Sequence, residues 1–160
     1  MSTLTIRPAP VRKSITVKAD AAHAFEVFTG RIGSWWPRSH CIASSPQKDV
    51  VLEPHAGGRW FEIGEDGSQC NWGKVLAWEP PVRVMLSWQI NSNWKYDPDL
   101  ITEVEVRFTP VSAGETRVDL EHRNLERFGD KVEIVRASID SEGGWTGILK
   151  VYAEMAEKSA

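Results

Sequence analysis

From Asp49 to Asn124 the sequence reads as strand after strand, and one long helix follows. That order is the strongest constraint on the fold. Asp49 to Glu53 is a short strand ended by Pro54, and Arg59 to Gly64 follows the turn at Gly57-Gly58. Glu65-Asp66-Gly67 is a tight hairpin signal, and Cys70 to Glu79 runs to the Pro80-Pro81 pair. Val82 to Ile90 sets Val84, Leu86, Trp88 and Ile90 against Arg83, Met85, Ser87 and Gln89. Ile101 to Thr109 sets Val104, Val106 and Phe108 against Glu103, Glu105 and Arg107. Thr116 to Asn124 sets Val118, Leu120 and His122 against Arg117, Asp119, Glu121 and Arg123. A period of two with one apolar face predicts an antiparallel sheet buried on one side.

The flanks are shorter to describe. Met1 to Pro10 is expected to be a disordered leader, and residues 11–158 a single domain. Val11 to Lys18 alternates as a first strand. Asp20 offers an N-cap to a helix over Ala21 to Thr29, stopped by Gly30. Arg31 to Trp36 is a short second helix broken by Pro37, and Arg38 to Lys48 is a loop. Asp130 to Ser138 can form one or two helical turns. From about Ser141 to Lys158, Trp145, Ile148, Leu149, Tyr152 and Met155 recur at spacings of three and four. Gly143, Gly144 and Gly147 weaken its first turns, which suggests close approach of the backbone to a strand or a ligand.

A curved sheet with one apolar face needs a cover, and only the last helix is long enough. A helix laid across such a sheet leaves a gap at its open end. Eight tryptophans bear on that gap, six of them between Trp60 and Trp145. Any single Trp is most simply core, but a small domain does not need eight to fill itself. Trp35, Trp36, Trp60, Trp72, Trp88, Trp94 and Trp145 suit the wall and mouth of a cavity.

Composition excludes other classes. The net charge of −3 carries no basic stripe, which argues against nucleic acid. No apolar run approaches the length that spans a bilayer, and the N-terminus lacks the apolar core of a signal peptide, so a cytoplasmic location is expected. Cys41 and Cys70 fit a reducing compartment. His40 beside Cys41 is no metal site, because adjacent side chains rarely converge on one ion; no metal or cofactor is assigned.

The chain resembles the START-like, helix-grip (SRPBCC) superfamily, and within it the proteins related to the C-terminal domain of the activator of Hsp90 ATPase. The residues carrying this are Glu53-Pro54-x-x-Gly57-Gly58-Arg59-Trp60-Phe61-Glu62, Trp72-Gly73-Lys74-Val75-Leu76-Ala77-Trp78-Glu79-Pro80-Pro81, Leu86-Ser87-Trp88 and Gly144-Trp145. The likeness runs from about Val11 to Glu157. It implies an α+β helix-grip fold: a curved antiparallel sheet of about six or seven strands wrapped around a long C-terminal helix, with two short helices after the first strand. It implies a cavity for small or lipid-like molecules, and a family link to stress response. The eukaryotic co-chaperone carries a separate N-terminal domain that engages Hsp90, and no such domain is expected within these residues.

Parity names the inward residues: Val84, Leu86, Trp88, Ile90, Val104, Val106, Phe108, Val118, Leu120 and His122. With Leu149 of the last helix and the indoles, they would line an apolar site holding few polar anchors. Those anchors are Arg59 or Glu62, Glu53 and His122. The ligand expected is small and hydrophobic or amphipathic. A second reading is an enzyme of cyclase or hydrolase type, in which Glu62 and His122 act as acid–base groups on one substrate; it requires both to converge on one pocket. The plainer reading of Glu62 is a cross-strand pair with Arg59, and of His122 a core histidine bonded to backbone. A third reading is an Hsp90-regulator-like interaction module, with an exposed patch outside the cavity. An exposed edge strand could support a homodimer. Ser39, Ser44 and Ser45 lie in a loop without a nucleophile elbow. Cys41 lies near His40, but no third orienting group is apparent.

Overall fold

Three strands behave as their alternation predicts. Val84, Leu86 and Trp88, then Val104, Val106 and Phe108, then Val118, Leu120 and His122 are all buried. In a computed structural model that describes residues 8–160, they share the inner face of one seven-stranded sheet. The strands are β1 (Val11–Val17), β2 (Gln47–Leu52), β3 (Arg59–Gly64), β4 (Gln69–Glu79), β5 (Arg83–Trp88), β6 (Thr102–Ser112) and β7 (Glu115–Arg123). Their order is β1-β7-β6-β5-β4-β3-β2, and every neighbouring pair is antiparallel. The fold is α+β and of the helix-grip kind. Of the expected leader, residues 1–7 lie outside the described residues. Arg136 donates to the carbonyls of Ala9 and Pro10 just ahead of β1.

The curl of the sheet is built into β4. Trp60 pairs with Gly73 but Phe61 pairs with Asn71, so Trp72 is an extra residue. Val75 pairs with Leu86 but Ala77 pairs with Met85, so Leu76 is a second one. Each bulge bends its strand and adds twist. At the first bulge the backbone of β4 presses on β5: a Cβ on Gly73 would lie 1.8 Å from the Ser87 carbonyl oxygen.

Helix α1 (Ala21–Thr29) is capped by Asp20, whose carboxylate accepts from the His23 N–H at 2.8 Å. It buries Ala24, Phe25, Val27 and Phe28, and α2 (Ile32–Trp35) follows at once. The long helix α4 (Trp145–Lys158) buries Trp145, Ile148, Leu149, Tyr152, Ala153 and Ala156. The Tyr152 hydroxyl donates to the Ala24 carbonyl at 2.7 Å and ties α4 to α1.

Several boundaries differ from the sequence reading: β2 begins at Gln47, inside the expected loop, β5 stops at Trp88, β6 runs on to Ser112, and both C-terminal helices are displaced. The long helix begins at Trp145, because Ser141 to Gly144 is a turn closed by the Gly144 N–H on the Ser141 carbonyl. A Cβ on Gly144 would stand 2.3 Å from the Ile139 carbonyl oxygen, so the close approach is to the end of the preceding helix. That helix is also longer than the one or two turns expected: a 3₁₀ segment, Leu125–Lys131, leads into α3 (Val132–Asp140). Among the described residues no helix is long and apolar enough to cross a membrane.

The outer face of the sheet carries the ion pairs expected of a wet face. Arg123 reaches Glu103, Glu105 and Glu121, and Arg83 reaches Glu79 and Glu105. Burial alone would raise Glu105, but hydrogen bonds from Arg83 and Arg123 outweigh it and hold the carboxyl below its ordinary range.

Candidate ligand cavity

A cavity of about 370 Å³ opens between the inner face of β4–β5, the start of α4 and the loop after α2. Five indoles line it: Trp36, Trp72, Trp88, Trp94 and Trp145. They meet mostly edge to face, as electron-rich rings prefer; Trp88 and Trp145 lie 5.6 Å apart at 64°. Trp36 and Trp72 lie 5.1 Å apart. Four of the five are almost wholly buried, while Trp94 is 48% exposed at the rim.

His122 stands behind this wall. The Trp145 indole N–H donates to its Nδ1 at 3.1 Å. An indole nitrogen can only donate, so Nδ1 is bare and the proton sits on Nε2. Nε2–H meets the Thr102 hydroxyl at 2.9 Å, and that hydroxyl donates to the Trp88 carbonyl at 2.9 Å. Each N–H and O–H of this network is donated to an acceptor. Full burial lowers the His122 pKa to about 3, so the ring stays neutral at ordinary pH. Its bonds run to a side chain and a hydroxyl rather than directly to backbone, and they set the Trp145 ring in place.

Glu62 is also fully buried. Its Oε1 accepts from the Ile42 N–H at 2.7 Å, the Ala43 N–H at 3.2 Å and the Trp72 indole at 3.0 Å. Its Oε2 has no partner among the described residues. The Arg59–Glu62 pair does not form. Three positions apart on one strand, the two side chains leave opposite faces. Arg59 lies over the Phe61 ring at 4.0 Å and donates to Asn71 Oδ1 at 2.9 Å. Glu53 takes the Arg59 backbone N–H and closes the β2–β3 turn. Burial first and the Glu62 charge second push the Cys70 thiol up, which keeps it protonated.

Glu62 and His122 therefore do not converge on the cavity. Each reaches it only through the groups it holds: Ile42 and Trp72 for Glu62, Trp145 for His122. Other residues expected at the site stand further back. Trp35 donates its indole N–H to the Val27 carbonyl at 2.7 Å and packs on Phe28 and Tyr152. Trp60 lies 5.4 Å behind Trp72. Phe108 sits against Phe25 and Phe28, and Val106 and Leu149 are core. The inner face of the sheet is longer than the cavity, and α1 fills the remainder with aromatic rings.

Sequence reasoning missed the polar edge: Ser39, His40 and Cys41 on the loop, faced by Gly143 at the turn before α4. The His40 Nε2 lies 2.6 Å from the Gly143 carbonyl oxygen, and its Nδ1 lies 3.1 Å from the Ser39 hydroxyl. A carbonyl only accepts, so Nε2 carries the proton and Ser39 donates to Nδ1. The His40 carbonyl accepts from the Trp36 indole at 3.1 Å and the Gln47 amide at 3.0 Å. Among the described residues, no His, Cys, Asp or Glu cluster is placed to hold a metal ion.

A family model described as Activator of Hsp90 ATPase homolog 1-like protein matches residues 18–157. The chain belongs to that family. Curated proteins give no match. Among solved structures, this family member is 38% identical to an anthrahydroquino-γ-pyrone synthase, with a TM-score of 0.65 over 92% of this chain and 97% of the other. It is 32% identical to CalC, a self-sacrificing resistance protein from Micromonospora echinospora, with a TM-score of 0.73 over 95% and 96%. A protein from Nitrosomonas europaea, 12% identical with a TM-score of 0.62 over 95% and 96%, shares the fold alone.

Proposed function

We propose that this chain binds an uncharged, flat aromatic molecule in the cavity between sheet and C-terminal helix. The observation that carries this is the lining: five indoles, and no Lys, Arg, Asp or Glu. A guest that enters already charged would lose its hydration there and meet no permanently charged side chain. A flat apolar guest meets indole edges and faces, each aromatic pair adding about 0.5–1.5 kcal/mol beyond the area buried. Ser39, His40 and Cys41 supply polar groups along one edge, which suits a guest with a hydroxyl or carbonyl on its rim. The likeness to a synthase named for a fused anthrahydroquinone–pyrone supports the same class of guest.

The test is titration with 2-hydroxyanthraquinone, a neutral, flat probe with one rim hydroxyl. Tryptophan emission should fall and shift to the blue, and thermal stability should rise, by about 2.7 kcal/mol at a hundredfold excess over Kd. Unchanged emission and unchanged melting would overturn the reading. The Hsp90-regulator reading draws no observation of comparable specificity from the geometry of the cavity.

A further inference from the structure

His40 and Cys41 are the two ionisable side chains on the cavity wall, and His40 is held from several sides. Its backbone N–H donates to the Pro37 carbonyl, and its own carbonyl takes the N–H groups of buried Trp36 and buried Gln47. Its ring bridges two distant segments, from the Ser39 hydroxyl to the Gly143 carbonyl. A side chain fixed to this degree at the edge of a cavity is in the position that proton transfer needs. The Nδ1 lone pair meets a hydroxyl, a group able to pass a proton on, and it belongs to Ser39, an exposed residue that lines the cavity.

We propose that Ser39 and His40 form a proton relay acting on a hydroxyl of the bound guest; this rests on the cavity reading above. The guest O–H gives its proton to Ser39 Oγ while the Ser39 proton passes to His40 Nδ1. The guest becomes an oxyanion and the imidazole an imidazolium. The Nε2–H bond to the Gly143 carbonyl strengthens as the ring becomes positive. Nothing is oxidised or reduced, and the proton returns by the same path. The substrate class is a phenol fused to an electron-poor ring system, whose conjugation spreads the charge of the oxyanion. Gly143 supplies the third, orienting group that the loop sequence alone does not reveal, and Ser39 and His40 are the catalytic residues of the relay.

The same probe tests it, because the phenol of 2-hydroxyanthraquinone is yellow and its phenolate red. Below the dye's own pKa the free form is yellow. On the wild-type chain the red fraction should rise about tenfold relative to free dye, the effect of one charge-assisted hydrogen bond and ion pair. His40→Gln should abolish that rise, and Ser39→Ala should cut it several-fold, with both variants still quenching tryptophan emission. Ser39→Thr, which keeps the hydroxyl, should restore the red band. Wild-type protein that binds the dye and leaves it yellow overturns the relay and leaves the cavity reading intact. A red band that persists in His40→Gln does the same. Wild-type protein that does not bind the dye removes both.

Discussion

Two histidines serve the same wall of indoles from opposite sides, and they are built for opposite purposes. Both have each ring nitrogen bonded and both carry the proton on Nε2. His122 is sealed in the core, where its Nδ1 faces an indole that holds its hydrogen and its Nε2–H faces a threonine committed to a carbonyl. His40 stands at the rim, where its Nδ1 faces a serine that meets the cavity. Burial and a closed hydrogen-bond chain turn one imidazole into a structural strut. Partial exposure and an open partner leave the other available to a guest. Position in the sheet or helix decides less than what the neighbouring group can do with a proton.

The sharpest way to break this contrast is to remove each ring in turn. His122→Ala should cost about 3–5 kcal/mol in denaturant unfolding, because it opens a cavity and strands the Trp145 N–H. His40→Gln should cost less than about 1 kcal/mol, since its surroundings are partly solvated. Equal losses would dissolve the distinction. Acid gives an independent handle. The His122 pKa falls from an ordinary 6.5 to about 3 on folding, so below pH 6.5 the unfolded chain binds a proton that the folded chain refuses. Its contribution to stability is whole above pH 6.5 and is lost as pH falls toward about 3, with a ceiling of about 4–5 kcal/mol. His122→Asn, neutral throughout, should flatten thermal stability between pH 6.5 and the start of carboxylate titration. A wild-type profile already flat there would show that the ring is not sealed.

Glu62 sharpens the comparison from the rim side. One carboxylate oxygen holds the amides of Ile42 and Ala43, so a buried group of β3 positions the loop on which Ser39 and His40 stand. Glu62→Gln halves the acceptor capacity and removes the charge. The expected cost is about 2–3 kcal/mol, with faster hydrogen exchange at the Ile42 and Ala43 amides. Exchange at those two amides that does not change would show that the loop stands without the carboxylate.

The inner half of this contrast was legible in the sequence and the outer half was not. His122 shares parity with Val118 and Leu120, and Trp88 with Val84 and Leu86, so a period of two was enough to put them inside. Trp145 falls on the apolar stripe of the last helix. The Glu62 environment was misread as an ion pair with Arg59. Parity already set the two apart, but its actual partners are backbone amides of a loop about twenty residues earlier, and a backbone N–H has no sequence signature. The same holds for His40. Its orienting partner is the Gly143 carbonyl, 103 positions away in the chain, and its anchors are an indole and an amide that are ordinary residues in the sequence. Cavity walls made by periodic elements can be read from spacing. Cavity rims made by loops depend on which carbonyls and amides the fold brings alongside.

The smallest effect tests whether the rim is held under strain while the inner wall is relaxed. Trp94 sits at φ 57°, in the left-handed region that costs an L-residue about 1–2 kcal/mol. Asn91 holds it there: its side-chain oxygen accepts from the Asn93 and Lys95 N–H groups, and its carbonyl from the Trp94 N–H. Glycine adopts this conformation freely. Trp94→Gly should therefore be more stable than Trp94→Ala by about 1 kcal/mol, despite glycine's greater chain entropy. Both should weaken 2-hydroxyanthraquinone to a similar extent, up to about tenfold, because both delete the same ring. If alanine proves the more stable replacement, the tip is relaxed and Trp94 is an exposed side chain that happens to lie near the mouth. If glycine wins and the two bind alike, the turn spends stability to keep an indole over the opening.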